Sequence, residues 1–487
     1  MTRPKFYVTT AIPYVNAKPH IGFALELLQA DALARWHRQR GNETFFLTGT
    51  DENALKNVQA AELVHQSTAE YVSGMSELFR NLSLQLGISN DEFIRTTETR
   101  HFTGAQKLWN ACKPQDIYKR SYQGLYCVGC EQFYSPDELI DGKCPEHKIA
   151  PEPVAEENYF FKLSNYQSAL EQLIESDQLK ITPKSRKNEM LAFIRRGLED
   201  FSISRSHRRA RGWGVPVPGD DKQVMYVWFD ALSNYLTALG YANEDDLYKK
   251  FWLDNQNRVH VIGKGISRFH CIYWPAMLMS AGLPLPTEIF IHGYVTVEGE
   301  KISKSLGNTI DPVELVNKFG LDPVRYYLLS EIPAYEDGDY SENRFRERYQ
   351  SDLANGIGNT LSRVTNMIQK FGEGKFNPGQ SISVHSQKVG EAVESAMKRF
   401  EFNIALASMN EIIRSIDSEI DKYQPWNMAK VGEKDAIRPL LDKWGTQLLD
   451  YAQLAKPFIP ETAEKIEQAL ESEFITKSKP LFPRLEE

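Results

Sequence analysis

Two periods of apolar residues alternate at the start of the chain. Phe6 to Thr10 is a run of aromatic and β-branched residues, which reads as a buried strand. A Pro and Asn turn follows, and from about Ile21 to Arg40 apolar positions recur at helical spacing. Thr44 to Leu47 is a second buried-strand run, closed by Thr48-Gly49-Thr50. Strand, loop, helix, strand predicts the opening of a parallel α/β sheet, in which ligands bind beyond the carboxyl ends of the strands. The same texture returns at Val224 to Trp228, Val259 to Gly263 and Glu288 to Tyr294. In between the periodicity turns irregular and Cys, Pro and Gly rise, as in an insertion. Beyond Asp352 the pattern is helical, in Leu353 to Ile368, Ile404 to Ile420 and Leu440 to Ala455, with a loop at Gly372 to Gln380. The expected division is a Rossmann-like parallel-sheet α/β domain in two halves, 1–116 and 223–298. An insertion at 117–222 separates the halves; a connecting region at 299–351 and an all-α helical bundle at 352–487 follow.

Composition adds bounds rather than chemistry. A chain of 487 residues exceeds what one core usually serves. With 41% hydrophobic and 25% charged residues it falls in the ordinary soluble class. No run of eighteen apolar residues occurs, and Met1 to Tyr7 lacks the regions of a signal peptide, so a cytoplasmic protein with no membrane partner is expected. There are five cysteines; Cys112 and Cys271 stand alone, which suits a reducing compartment. The net charge of −8 argues against a general nucleic-acid coat while leaving room for a local basic patch.

The other three cysteines form a pattern. Cys127-Val-Gly-Cys130 is followed after thirteen residues by Cys144-Pro-Glu-His147. Three thiolates and one imidazole, paired at CxxC and CxxH spacings, make a closed tetrahedral set suited to one structural Zn2+ ion. With four protein ligands no position is left for catalysis, and the ion's role is to hold the insertion together.

Two loops carry nucleotide-type chemistry. Pro19-His20-Ile21-Gly22 precedes the first helix, whose N-terminus favours phosphate oxygens, and Gly22 permits close approach. Lys301-Ile302-Ser303-Lys304-Ser305, between Gly299 and Gly307, places two lysines and two hydroxyls on a loop after the last strand. Such a loop can clamp a triphosphate where negative charge grows. Taken alone, the first is a weak signal and the second reads more readily as a solvated basic turn. Taken as a pair in this order, about 280 residues apart, they resemble the HIGH and KMSKS signatures of class I aminoacyl-tRNA synthetases. Further segments resemble the methionyl family: Ala11-Ile-Pro-Tyr14-Val-Asn16, Phe46 to Asp51, Cys127 to His147, Tyr226 to Ala231, Arg268 to Pro275 and Lys301 to Asn308. The resemblance runs from about Lys5 to Arg484.

The resemblance implies an aminoacyl-tRNA ligase that joins L-methionine to tRNA(Met) with ATP and Mg2+. It implies catalytic roles for His20, Lys301, Ser303 and Lys304, and an ATP site formed by His20, Gly22, Glu26, Gly263, Lys264, Lys301 and Lys304. For methionine it implies Ile12, Tyr14, Asp51, Trp228, Ala231, Leu232, Tyr235, Ile266, His270 and Trp274. Asp51 suits an ammonium and the rings suit a thioether, while Tyr14 and His270 are polar enough to sense sulfur. In the helical part, Asn359, Arg363 and Trp426 match the positions that read the CAU anticodon; stacking on Trp and base-edge bonds from Arg and Asn fit that use. The chain ends where the family core ends, so a monomer is expected.

Three positions depart from the family pattern. Phe23 stands for the second histidine of HIGH, Asn53 for the histidine of Asp-Glu-His-Gly, and Gly265 for the aspartate of Gly-Lys-Asp. All three belong to segments expected on the nucleotide side. The main reading is a working methionine–tRNA ligase with a reshaped ATP corner. The alternative is a synthetase-like paralogue that activates an amino acid for biosynthesis or binds tRNA without charging it. The intact anticodon positions and Lys301-Ile-Ser-Lys304 favour the first.

Overall fold

The computed structural model describes residues 3–302, 308–379 and 384–485. The chain forms two compact units. The first comprises Met1–Pro19, His37–Leu84 and Ile88–Ile291, the second His20–Trp36, Gln85–Gly87 and His292–Glu487.

The first unit is built on a six-stranded sheet. Its strands are β1 (Lys5–Thr10), β2 (Glu43–Thr50), β3 (Glu92–Arg95), β4 (Lys180–Thr182), β5 (Arg258–Gly263) and β6 (Glu288–His292). They lie in the order β3-β2-β1-β5-β6-β4. β1 pairs in parallel with both β2 and β5, β2 with β3, and β6 with β4. Buried Tyr7, Leu47, Ile94, Ile181, Ile262 and Ile289 tie these strands into one core. The strand order reverses between β1 and β5, and in sheets of this kind the crevice at that switch point takes the ligand.

The irregular stretch holds a four-stranded antiparallel sheet, Gln132–Tyr134, Ile117–Cys127, Glu152–Phe161 and Phe201–Ser202. The run Val224 to Trp228 is not a strand of the main sheet. Its strand, Asp220–Met225, joins Ser204–Ser206 and Pro216–Val217 in a small antiparallel sheet, and a helix begins at Val227. The run is continuously apolar because strand end and helix start are both buried, and a short apolar run does not reveal its period.

In the second unit a three-stranded sheet is formed by Val295–Val297, Glu300–Lys301 and Gly338–Tyr340. Helices follow, among them Leu321–Glu331, Asn359–Phe371, Phe402–Tyr423, Pro425–Lys430, Lys434–Ala455 and Pro460–Leu470. Their apolar faces bury Leu361, Val364, Ile368, Met409, Ile416, Leu441, Trp444 and Leu448. One charged group anchors the unit. Arg325 is fully buried, and its guanidinium donates to Asp31 (2.7 Å) and to the carbonyls of Leu86 (3.0 Å), Phe458 (2.7 Å) and Pro457 (3.1 Å). A buried cation is tolerated when its donors are met in this way. These bonds join the early segments 20–36 and 85–87 to the C-terminal helices. Among the described residues no helix is long and apolar enough to cross a membrane.

Candidate active site

The expected amino-acid residues come from three strand ends of the first unit. After β1 the chain turns through Ile12 to Tyr14. After β2 comes Asp51, whose N–H donates to the Pro13 carbonyl at 2.8 Å, so Tyr14 and Asp51 pair as an isolated bridge. After β5 come Gly263, Lys264, Ile266 and then His270, on the helical turn Phe269–Tyr273 that leads into helix Trp274–Ala281. Trp228, Ala231 and Leu232 lie on helix Val227–Leu232, and Tyr235 on the next turn, Asn234–Thr237.

The structure brings the rings of this set together. Trp228 meets Tyr14 edge-on with centroids 6.3 Å apart, and His270 likewise at 6.1 Å. Tyr235 lies 5.8 Å from His270 and 6.0 Å from Trp274. Ile12 and Ile266 pack against the same core, and Ala231 and Leu232 are buried. Tyr14 Oη, Trp228 Nε1 and Trp274 Nε1 are buried with no hydrogen-bond partner among the described residues. Each such atom costs about 1–3 kcal/mol if nothing meets it, so three on one ring cluster point to a polar guest.

The polarity of Tyr235 follows from its neighbour. His270 Nδ1 is 3.0 Å from the Ile266 carbonyl, which only accepts, so Nδ1 carries the proton. Burial draws His270 down to about 4, leaving it neutral at pH 7, so Nε2 accepts from the Tyr235 hydroxyl at 2.7 Å. Both ring nitrogens of His270 are therefore committed, and it acts on any guest through Tyr235.

Asp51 is buried. Burial first, then the charge of Asp230, pushes its carboxyl well above the usual carboxylate range, while Lys56 opposes the rise. A buried carboxylate of this kind favours an incoming cation. Asn53 does not point away from this pocket. Its amide donates to Asp230 Oδ2 (2.8 Å) and to the Thr96 carbonyl (3.0 Å), and His101 holds the other oxygen of Asp230 at 2.5 Å. Four residues absent from the sequence reading join the site: Lys56, Asp230, His260, stacked 4.1 Å from Tyr235, and Phe269, stacked 3.8 Å from Trp228. Phe269 and Asp230 lie within the motif segments and His260 within the strand run Val259 to Gly263, so Lys56 alone of the four lies in no segment singled out by the sequence.

The remaining expected nucleotide residues lie in the second unit. His20 Nδ1 accepts the Gly22 N–H at 3.1 Å, so a neutral His20 carries its proton on Nε2. A Cβ on Gly22 would come within 3.0 Å of the His20 ring, so the glycine makes this bond possible. Glu26 is buried and bonds His292 Nε2 at 2.9 Å. Phe23 is half-buried on the same helix. Lys301 pairs through its backbone with Thr296; its side chain, Ser303 and Lys304 lie outside the described residues. In the first unit Gly265 is exposed.

Cys127, Cys130, Cys144 and His147 form a group whose ligand atoms all lie within 4.8 Å of one another. Cys130 Sγ is 3.3 Å from Cys144 Sγ and 3.2 Å from His147 Nδ1. Tetrahedral ligation at bonds of about 2.0–2.3 Å spaces ligand atoms by roughly 3.3–3.8 Å, so the set fits such an ion. Gly129 closes the turn, since a Cβ there would stand 2.6 Å from the His147 ring.

In the helical region Asn359 is exposed at the start of helix Asn359–Phe371. Arg363, one turn on, is held by Asp417 (3.2 Å) and Asp421 (2.8 Å). Gln424 takes a left-handed conformation (φ 46°) between two helices, and Trp426 follows it, exposed.

The model of the class I (M) tRNA synthetase family matches residues 6–152 and 147–365. The chain is 42% identical over 485 residues to a methionine–tRNA ligase of Clostridium acetobutylicum, covering 97% of this chain and 74% of that one. It is 42% identical over 478 residues to the Brucella suis methionine–tRNA ligase, covering 96% and 92%. A crystal structure of Mycobacterium tuberculosis methionyl-tRNA synthetase bound by methionyl-adenylate superposes with TM-score 0.91 at 35% identity, covering 98% of this chain and all of that one.

Proposed function

The chain belongs to the class I methionyl-tRNA synthetases, and we propose that this member is a working methionine–tRNA ligase whose amino-acid pocket is the ring cluster around Asp51. The reaction has two steps. The methionine carboxylate attacks the α-phosphorus of ATP to give methionyl-adenylate and pyrophosphate, and a ribose hydroxyl at the 3′ end of tRNA(Met) then takes the methionyl group from the anhydride, releasing AMP. Asp51 holds the substrate ammonium. Trp228, Tyr235 and Trp274 enclose the thioether, with Ile12, Ala231, Leu232 and Ile266 filling the apolar wall. The observation that carries this reading is the trio of orphaned polar atoms on that cluster, Tyr14 Oη, Trp228 Nε1 and Trp274 Nε1.

For ATP, with Mg2+, the roles fall to His20, Gly22, Glu26, Gly263, Lys264, Lys301 and Lys304. His20 offers an Nε2–H to phosphate oxygen, Lys301 and Lys304 neutralise the departing pyrophosphate, and Ser303 donates a hydrogen bond there. Zn2+ fits the Cys127, Cys130, Cys144 and His147 set, where it supplies folding energy rather than reactivity. Asn359, Arg363 and Trp426 are assigned to the anticodon, and the protein to the cytoplasm.

Asn53 bears on the choice between ligase and paralogue. Both of its amide donors serve Asp230 and Thr96, so this departure is absorbed by the framework of the pocket. Methionine-dependent ATP–pyrophosphate exchange, followed by charging of initiator and elongator tRNA, tests the reading. Exchange with charging supports it; exchange without charging moves the protein to the paralogue; no exchange ends the ligase reading.

A further inference from the structure

Lys56 lies in the first turn of helix Leu55–Leu63, a few residues beyond Asp51. Its backbone N–H donates to Glu131 Oε1 at 3.2 Å, and its ammonium donates to the Gly129 carbonyl at 2.9 Å. The two acceptors flank Cys130. The same ammonium lies 3.7 Å from the centroid of the Tyr14 ring. One side chain thus touches the metal turn on one side and a wall of the amino-acid pocket on the other.

We propose that Lys56 is a positioning residue that ties the metal knuckle to the methionine site, its ammonium fixed by the Gly129 carbonyl and thereby fixing the tilt of the Tyr14 ring. This inference rests on the amino-acid reading given above. Each end of the tie is firmly held. Gly129 sits against His147, where no Cβ fits, so its carbonyl is placed by closure of the four-ligand turn. Glu131 is buried, bonded by Arg205 at 3.0 Å and by the Tyr126 hydroxyl. At the pocket end the Tyr14 ring meets Trp228 edge-on, so its tilt sets the position of the orphaned Tyr14 Oη. A cation over a ring face is attracted by the ring quadrupole and holds the ring plane. The same charge lies near Asp51 and favours its ionised form, the form an ammonium needs.

The experiment compares wild type with Lys56→Gln, Lys56→Met and Lys56→Arg. Methionine binding is read by tryptophan fluorescence, exchange kinetics by KM and kcat, zinc content by elemental analysis and folding by thermal melting. Gln keeps a donor for Gly129 but removes the cation over the ring; Arg keeps both. With fold and zinc intact, Lys56→Gln and Lys56→Met raise the methionine KM and weaken methionine binding by about tenfold or more. Their kcat and ATP KM stay within about twofold of wild type, and Lys56→Arg restores methionine affinity. A folded, zinc-loaded Lys56→Gln that binds methionine as wild type does overturns the proposal. So does failure of both neutral variants to fold, which makes Lys56 a framework residue. Wild type that binds no methionine counts against the amino-acid reading, whatever Lys56 does.

Discussion

At position 53 an amide stands where the resemblance leads one to expect an imidazole, and both its N–H bonds are spent, on Asp230 and on the Thr96 carbonyl. Asn53→Ala leaves two buried acceptors short, so we expect a loss of about 1–3 kcal/mol of stability, read by denaturant melts. Asp51→Asn keeps the shape but removes the charge proposed to meet the ammonium. The methionine KM should rise by roughly 10- to 100-fold, the ATP KM staying near wild type in exchange assays. His270 gives a pH signature. Its folded pKa is about 4, against about 6.5 when unfolded. Between these values the unfolded chain binds the extra proton, so His270 subtracts stability as pH falls from about 6.5 to 4. Replacing it by Gln should remove up to about 1.4 kcal/mol per pH unit of that slope, seen by comparing melts of the two proteins across the window. An unchanged slope contradicts a buried neutral His270. Asp51 and Trp228 were named from the motifs Phe46 to Asp51 and Tyr226 to Ala231, and Tyr235, which lies beyond them, from the resemblance alone. Lys56 was not, because a single lysine in a helix's first turn looks like solvated surface until Gly129 and Tyr14 are seen around it.

At the scale of elements, the knuckle is the part most dependent on its ligand. Its buried hydrophobic cluster is small: Cys127, Tyr134 and Cys144, with Cys130 and Leu139 packed against it. A metal ion bound there would supply much of its folding energy. We expect one zinc per chain. His147→Ala should lose it and make the 127–147 segment readily cleaved by protease, while the parallel sheet keeps its protection. Retained zinc in that variant would remove His147 from the ligand set. The elements most legible in advance were those with long or strongly apolar patterns. Strand β1 spans Lys5–Thr10 and the first helix Ile21–Gln39, close to where the periodicity put them. Strand β4 was invisible: three residues, Lys180–Thr182, inside an irregular stretch have no period to show, and only pairing with β6 makes them a strand. The Asp220–Met225 strand was misassigned because partner choice is tertiary information.

At the scale of the whole molecule, the sequence suggested consecutive segments, whereas compactness groups His20–Trp36 and Gln85–Gly87 with the C-terminal part. Helical periodicity gives no sign of this, since Asp31 and Arg325 each read as ordinary charged residues until they are found bonded. Replacing Arg325 by Met takes from buried Asp31 its fully buried cation and leaves it Arg35, at 2.7 Å. Loss of such a partner costs roughly 3–5 kcal/mol. The melting temperature should fall, and the double variant Asp31→Leu, Arg325→Met should recover part of the loss. No recovery would show that the carbonyl bonds, not the ion pair, dominate.

The Arg325 bonds also set an order of events during synthesis. Ribosomes extend a chain by about 5–20 residues per second, and domains fold as they emerge. Asp31 leaves the ribosome tens of seconds before Phe458 does, so the first helix waits with Arg35 on its carboxylate but without Arg325, while the parallel sheet is already being made. A nascent chain paused near residue 300 holds a nearly complete first unit and a helix with no home. The protein's exposure to chaperones and proteases should be concentrated in that interval.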